Sequence, residues 1–171
     1  MTTGSGFENR SATTTTKKET QLLTFRLDEQ EYALDIANVV QVVRMVAITP
    51  VPKAPEVVEG VINLRGKVIP VINLRKRCGL PTRPYGLNDH LLIARMDGRV
   101  MGLIVDMVSE MLTVPMSDLD SSAEIGSQQM EYLTAVGRLG DRLLLVLDPG
   151  MILTFEDKKC LEVALARTPS P

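Results

Sequence analysis

Apolar and polar residues alternate with period two along most of this chain. Leu23, Phe25 and Leu27 alternate with Thr24 and Arg26, and Tyr32, Leu34 and Ile36 alternate with Glu31, Ala33 and Asp35. The polar residues Asp28-Glu29-Gln30 join the two runs, a pattern that predicts a β-hairpin. A long β-branched stretch, VVQVVRMVAITPVP, follows and is closed by Pro50, Pro52 and Pro55. The segment GVINLRGKVIPVINLR then carries VINLR twice, at 61–65 and 71–75, around Arg65-Gly66-Lys67. A glycine in that gap permits the positive φ of a tight reversal, so a second hairpin turns there. Pro70 has no N–H to give a ladder, which predicts an edge or a bulge. Leu74–Gly79 reads as one helical turn ended by glycine.

The second half has the same style. DHLLIARM, Asp97-Gly98 and RVMGLIVDMV form a hairpin with a type I′ turn signal. SEMLTV continues a strand to Pro115, and 116–130 reads as a long polar loop. YLTAVGRL, Gly140-Asp141 and RLLLVLD make a fourth hairpin. Thr154 is placed to N-cap a helix over 155–166, with Asp157 as its capping-box partner. About ten short strands with hairpin turns predict a mostly all-β fold of two small five-stranded barrels and a C-terminal helix. Pro81, Pro84 and Gly86 put the break near Pro81–Asn88, giving a first half over 21–80 and a second over 88–150. Residues 1–20, rich in Thr and poor in large apolar groups, read as a disordered tail, and 167–171 as a loose one.

Composition narrows the function. The chain has 171 residues, formal net charge −2 and only 4% aromatics, while its 18 Val and 9 Ile favour strands. Cys78, Cys160 and the single His90 cannot furnish the roughly four N/S ligands of a structural zinc site, so no metal or cofactor is expected. The two thiols read as free cysteines of a reducing compartment. No apolar signal region and no membrane-length run are present, which predicts a cytoplasmic protein without membrane insertion.

Catalytic patterns are missing. Gly60 to Lys67 approaches a phosphate loop, but five residues separate its glycines and Val68 follows the lysine. His90 has no nucleophile elbow to serve and reads as a solvated strand end. Asp106 interrupts GLIVDMV and reads as a rim carboxylate bonded to loop backbone, and Asp118 and Asp120 as turn formers. Arg75, Lys76, Arg77 and Arg83 raise the alternative of a nucleic-acid-binding OB- or SH3-like barrel. Single-strand binders pair basic grooves with aromatic platforms, and three Tyr and three Phe are few for that. A solvated basic edge is the reading adopted.

GVINLRGKVIPVINLR resembles the signature hairpin of the CheW family of chemotaxis coupling proteins. The resemblance extends in order through EYALDIANVVQVVR, MDGRVMGLIVDMVSEML and YLTAVGRLGDRLLLVLD, so a CheW-like domain is expected over 21–155. It implies two intertwined SH3-like barrels and a non-enzymatic adaptor. Its implied partners are the regulatory domain of a CheA-type histidine kinase and the cytoplasmic tips of chemoreceptors. The receptor hairpin would lie in the groove between the barrels. The candidate partner-binding residues are Val40, Val43, Gly60, Asn63, Arg65, Gly66, Met101 and Leu103. In Val39-Val40-Gln41-Val42-Val43 and in MGLIVDMV both strand faces are apolar, which fits either a partner surface or burial by the second barrel. Where relatives carry a glutamate able to pair with the motif arginine, this chain has Val42, leaving Arg65 to Glu56, Glu59 or a partner. In a strand over 61–65, Ile62 and Leu64 face the core, and Arg65 emerges with Val61 and Asn63, since burying an unpaired guanidinium costs several kcal/mol.

Overall fold

The computed structural model describes residues 18–121 and 131–167. The strands are β1 (Glu19–Leu27), β2 (Gln30–Asp35), β3 (Val39–Arg44), β4 (Val58–Leu64), β5 (Lys67–Asn73), β6 (His90–Met96), β7 (Arg99–Val105), β8 (Met107–Pro115), β9 (Leu119–Ser121), β10 (Leu133–Leu139) and β11 (Arg142–Leu147). Among the described residues, two α-helices, α1 (Leu74–Arg77) and α2 (Phe155–Ala166), and three short 3-10 turns complete the regular structure. One sheet has the order β8-β1-β2-β11-β10-β9, the other β3-β6-β7-β5-β4. Each is an edge strand, a hairpin, a parallel joint (β2 with β11, β5 with β7) and a second hairpin. The expected pair of five-stranded units is therefore present, with β9 as a sixth strand in one of them.

The chain changes sheet twice. It leaves the first sheet after β2, builds all of the second with β3–β7, and returns at β8. The expected break at Pro81–Asn88 does not divide the units, because β6 and β7 lie beyond it and pair with β3 and β5. Hairpins are local, whereas the choice of sheet depends on contacts far apart in sequence. Residues 19 and 20, assigned to the tail, belong to β1, and the Lys18 carbonyl accepts from Met116 N; residues 1–17 lie outside the described residues, as does 168–171. The first turn is Asp28-Glu29 alone, since Leu27 pairs with Gln30. Part of the expected 116–130 loop is a 3-10 turn and β9, and 122–130 lies outside the described residues.

Period-two alternation gives each central strand two buried faces. Phe25, Leu27, Tyr32, Leu34, Leu92, Met101, Leu103 and Val105 meet in one core between the sheets. Their neighbours fill the two sheet interiors: Leu22, Ala33, Leu144 and Val146 in the first, Ile62, Ile69, Leu91, Ile93 and Ile104 in the second. Helix α2 starts at the expected capping box, with Asp157 N donating to Thr154 Oγ1 (3.0 Å) and Thr154 N to Asp157 Oδ2 (3.2 Å). Its Leu161 enters the central core, and Ala164 packs near Val51 and Val61.

The basic segment after β5 is not a solvated edge. Arg75 is buried, donating from Nη2 to Asp28 Oδ1 (2.6 Å) and to Asp106, and from Nη1 to the Pro81 carbonyl (3.0 Å). Arg83 reaches Asp106 Oδ1 (2.9 Å) and Asp89, while Arg77 donates to the Ile152 carbonyl and stacks over Tyr132. Asp106, between β7 and β8, accepts the Asp28 N–H (2.7 Å) as well, so it bonds turn backbone as expected and also two arginines. The hydrogen bond from Arg75 holds the Asp28 carboxyl below its ordinary range. Burial works to raise the Asp89 pKa, yet Arg83 and the Gly86 N–H outweigh it and the net displacement is downward. The knot ties the β1–β2 turn and the β7–β8 crossing to α1.

Removing the guanidinium leaves two carboxylates facing each other. Arg75→Ala is therefore expected to lower stability by about 3 kcal/mol, the low end for a buried pair because Asp28 remains half-exposed. The unfolded chain takes up protons near pH 4 while the folded one, with depressed Asp28 and Asp89, does not, so acid drives unfolding. Stability should be flat above about pH 5 and fall below about pH 4, less steeply in the variant. Denaturant melts across pH check both points. A variant within about 0.5 kcal/mol of wild type contradicts this account of the knot.

Candidate protein-docking site

The eight sequence-derived contact residues divide into surface and interior. Met101 and Leu103 are core, 4% and 0% exposed, because β7 lies between β6 and β5 with that face against the other sheet. Gly60 is also interior: a Cβ there would stand 2.2 Å from the Thr49 carbonyl oxygen. Thr49 crosses β4 at this point and exchanges hydrogen bonds with Val61 (2.9 and 2.8 Å), so Gly60 is a close-approach position and not a partner contact. Val43 is half-buried against the interior of the second sheet. Val40, Asn63, Arg65 and Gly66 are at the surface.

Arg65 is not the end of a strand. Strand β4 stops at Leu64, and Arg65 (φ 54°) and Gly66 (φ 83°) are both left-handed, the pair of conformations a type I′ hairpin turn requires. Asn63 Oδ1 accepts the Gly66 N–H (2.9 Å) and closes the turn. The side-chain direction of Arg65 is set by the turn and not by strand alternation. A left-handed arginine is conformationally strained, by about 1–3 kcal/mol, and is held there by the hairpin around it. Glu59, one proposed brace, is engaged by Asn73 (2.8 Å) and Lys76 (3.1 Å). Among the described residues Arg65 makes no ion pair.

Arg65 and Val40 line one groove of about 630 Å³ at the open end of the second sheet. Its walls come from β3 (Val40, Gln41), the β4–β5 hairpin (Leu64, Arg65, Lys67–Pro70), β6 and β7 (Ile93, Arg95, Arg99, Val100) and, from α2, Leu165. Among the described residues β3 pairs only with β6, and its Val40 is 47% exposed, with Val42 also open to solvent. Lys67 and Arg95 are exposed and unpaired among the described residues, and Arg99 meets Glu162 at a loose 3.6 Å. The Asp97 carboxylate is held by Lys158 (2.8 Å), which depresses its pKa. Aliphatic walls and guanidinium donors make a surface for non-covalent docking. Sequence reasoning missed Lys67, Arg95, Arg99 and Leu165. Outward alternation in β6 marks Arg95, but nothing local brings α2 beside β3. A second apolar strip runs along edge strand β8, where Met107 and Met111 are exposed, to Met116.

The family model described as the CheW-like domain matches residues 21–157. The chain is 38% identical over 125 residues to the chemotaxis protein CheW of Thermotoga maritima, covering 71% of this chain and 82% of that protein. It is 36% identical over 133 residues to that of Treponema pallidum, covering 75% and 78%. Among solved structures, the scaffolding protein TtCheW from Thermoanaerobacter tengcongensis superposes with a TM-score of 0.75 at 31% identity, over 82% of this chain and 96% of that one.

The division into core and surface predicts opposite costs. Leu103→Ala should destabilise by about 2–5 kcal/mol through lost burial and a cavity. Val40→Ser on the exposed edge should stay within about 0.5 kcal/mol of wild type. Urea melts of the two variants check this, and equal losses contradict the assignment.

Proposed function

The chain belongs to the CheW-like family and is a coupling adaptor of chemotaxis signalling; we propose that it joins a CheA-type histidine kinase to chemoreceptors. Its partners are the kinase's regulatory domain and the receptors' cytoplasmic tips, and its place is the receptor array of the cytoplasm. It works by holding the two together, with no reaction of its own. The groove is one of its docking surfaces, with Val40 and Arg65 as contacts and with Asn63 and Gly66 setting the turn that aims the arginine. Met101, Leu103 and Gly60 support the site from inside, and Val43 anchors β3 beneath Val40.

The observation that carries this reading is Arg65 itself: an exposed guanidinium on a left-handed backbone, with no ion pair among the described residues, at the rim of an apolar groove. Its five-donor planar fork holds a carboxylate or paired carbonyls in a way lysine does not. Nucleic acid is the poorer fit, since among the described residues the groove's lining includes no aromatic side chain on which a base can stack.

Arg65→Ala is expected to keep the fold and weaken assembly of the receptor–kinase complex tenfold or more, on the order of 1.4 kcal/mol. Receptor-stimulated kinase activity, measured beside a thermal melt, tests it. Full activity with an unchanged melt overturns the role of Arg65, and a collapsed melt makes the residue structural.

A further inference from the structure

The groove's charge specifies its occupant. Among the described residues its lining holds four cations, Arg65, Lys67, Arg95 and Arg99, and no carboxylate. This is not a general property of a chain whose net charge is −2. The first sheet has a cavity of its own, about 420 Å³, and its lining reverses the sign: among the described residues it contains Asp35 and Asp148 and no cation. The aliphatic part of the basic groove, Val40, Leu64, Val68, Ile69 and Val100, lies between the cations.

A wholly apolar partner laid over this surface would strip water from unpaired guanidinium groups and give them no hydrogen bonds in return. A basic partner would be repelled. A carboxylate meets the forks of Arg65 and Arg95 with charge-assisted hydrogen bonds that replace the lost water. We propose that the groove binds a partner-protein segment in which an aliphatic side chain is flanked by carboxylates, with Arg95 and Lys67 joining Arg65 in selecting it. The proposal rests on the adaptor reading and adds to it the chemistry of the bound segment. Such pairing steers encounter and rejects wrong partners more than it adds affinity, so it sets which protein docks at this end.

The test uses the full chain and its Arg95→Lys, Arg95→Gln, Arg95→Glu and Lys67→Glu variants. Affinity for the purified kinase regulatory domain and for a receptor cytoplasmic fragment is measured separately at low and high salt. For the partner that uses the groove, each Glu variant should weaken binding by about tenfold or more. Arg95→Gln should lose less and Arg95→Lys least, and the Glu variants should flatten the salt dependence. A Glu→Lys change in that partner should restore binding to Arg95→Glu. If wild type binds neither protein, the adaptor reading itself fails. If wild type binds but both Glu variants leave both affinities unchanged, the acidic occupant is wrong while the adaptor reading stands. If the Glu variants change only self-association in sedimentation, the groove takes the acidic end of a second copy, and the proposal is overturned.

Discussion

The fold depends on one buried guanidinium. Arg75 sits where the chain hands itself from one sheet to the other, joined to the β1–β2 turn through Asp28 and to the β7–β8 crossing through Asp106. A charge taken from water on this scale costs several kcal/mol unless its donors are met, so the surrounding backbone and carboxylates have little freedom to be elsewhere. Pro81, Arg83 and Asp89 extend the same constraint into the segment before β6. The knot therefore fixes register between sheets, which an apolar core alone, being non-directional, does not.

With the sheets joined there, the central strands have no face left for solvent. β1, β2, β6 and β7 give alternate residues to the shared core and to their own sheet interior. Partners are left with the edges and the open ends. The groove is such an end, built from β3, the β4–β5 hairpin, β6, β7 and α2. The rigid hairpin aims Arg65, and the free edge of β3 presents Val40. Function in this adaptor is thus a matter of which side chains the two-sheet arrangement fails to bury.

Much of this was legible locally. Alternation and turn residues mark the four hairpins, and Thr154 with Asp157 marks the start of α2, because each signal lies within a few residues. The ion knot was not legible, since Arg75 and Asp28 lie 47 residues apart and Arg75 and Asp106 lie 31 apart. Without those partners the arginines look solvated. Met101 and Leu103 were read as possible contacts for a related reason: two apolar faces on one strand look the same whether a partner protein or a second sheet covers them. Arg65 was assigned to the correct hairpin and the surface, but to a strand end. Its left-handed backbone was hidden because arginine is rarely the residue that adopts it. The basic groove needed the fold, for only the β3–β6 and β5–β7 pairings bring Val40, Lys67 and Arg95 together.

If the groove is the docking surface, partners meet it and not the buried strand or the methionine edge. Methyl NMR of the full chain, titrated with the kinase regulatory domain and then with a receptor fragment, tests this most directly. One of the two is expected to broaden or shift Val40, Leu64, Val68 and Val100, while Leu103 and Met101 stay in place. Perturbations from both partners confined to Met107, Met111 and Met116 on the β8 side would contradict it.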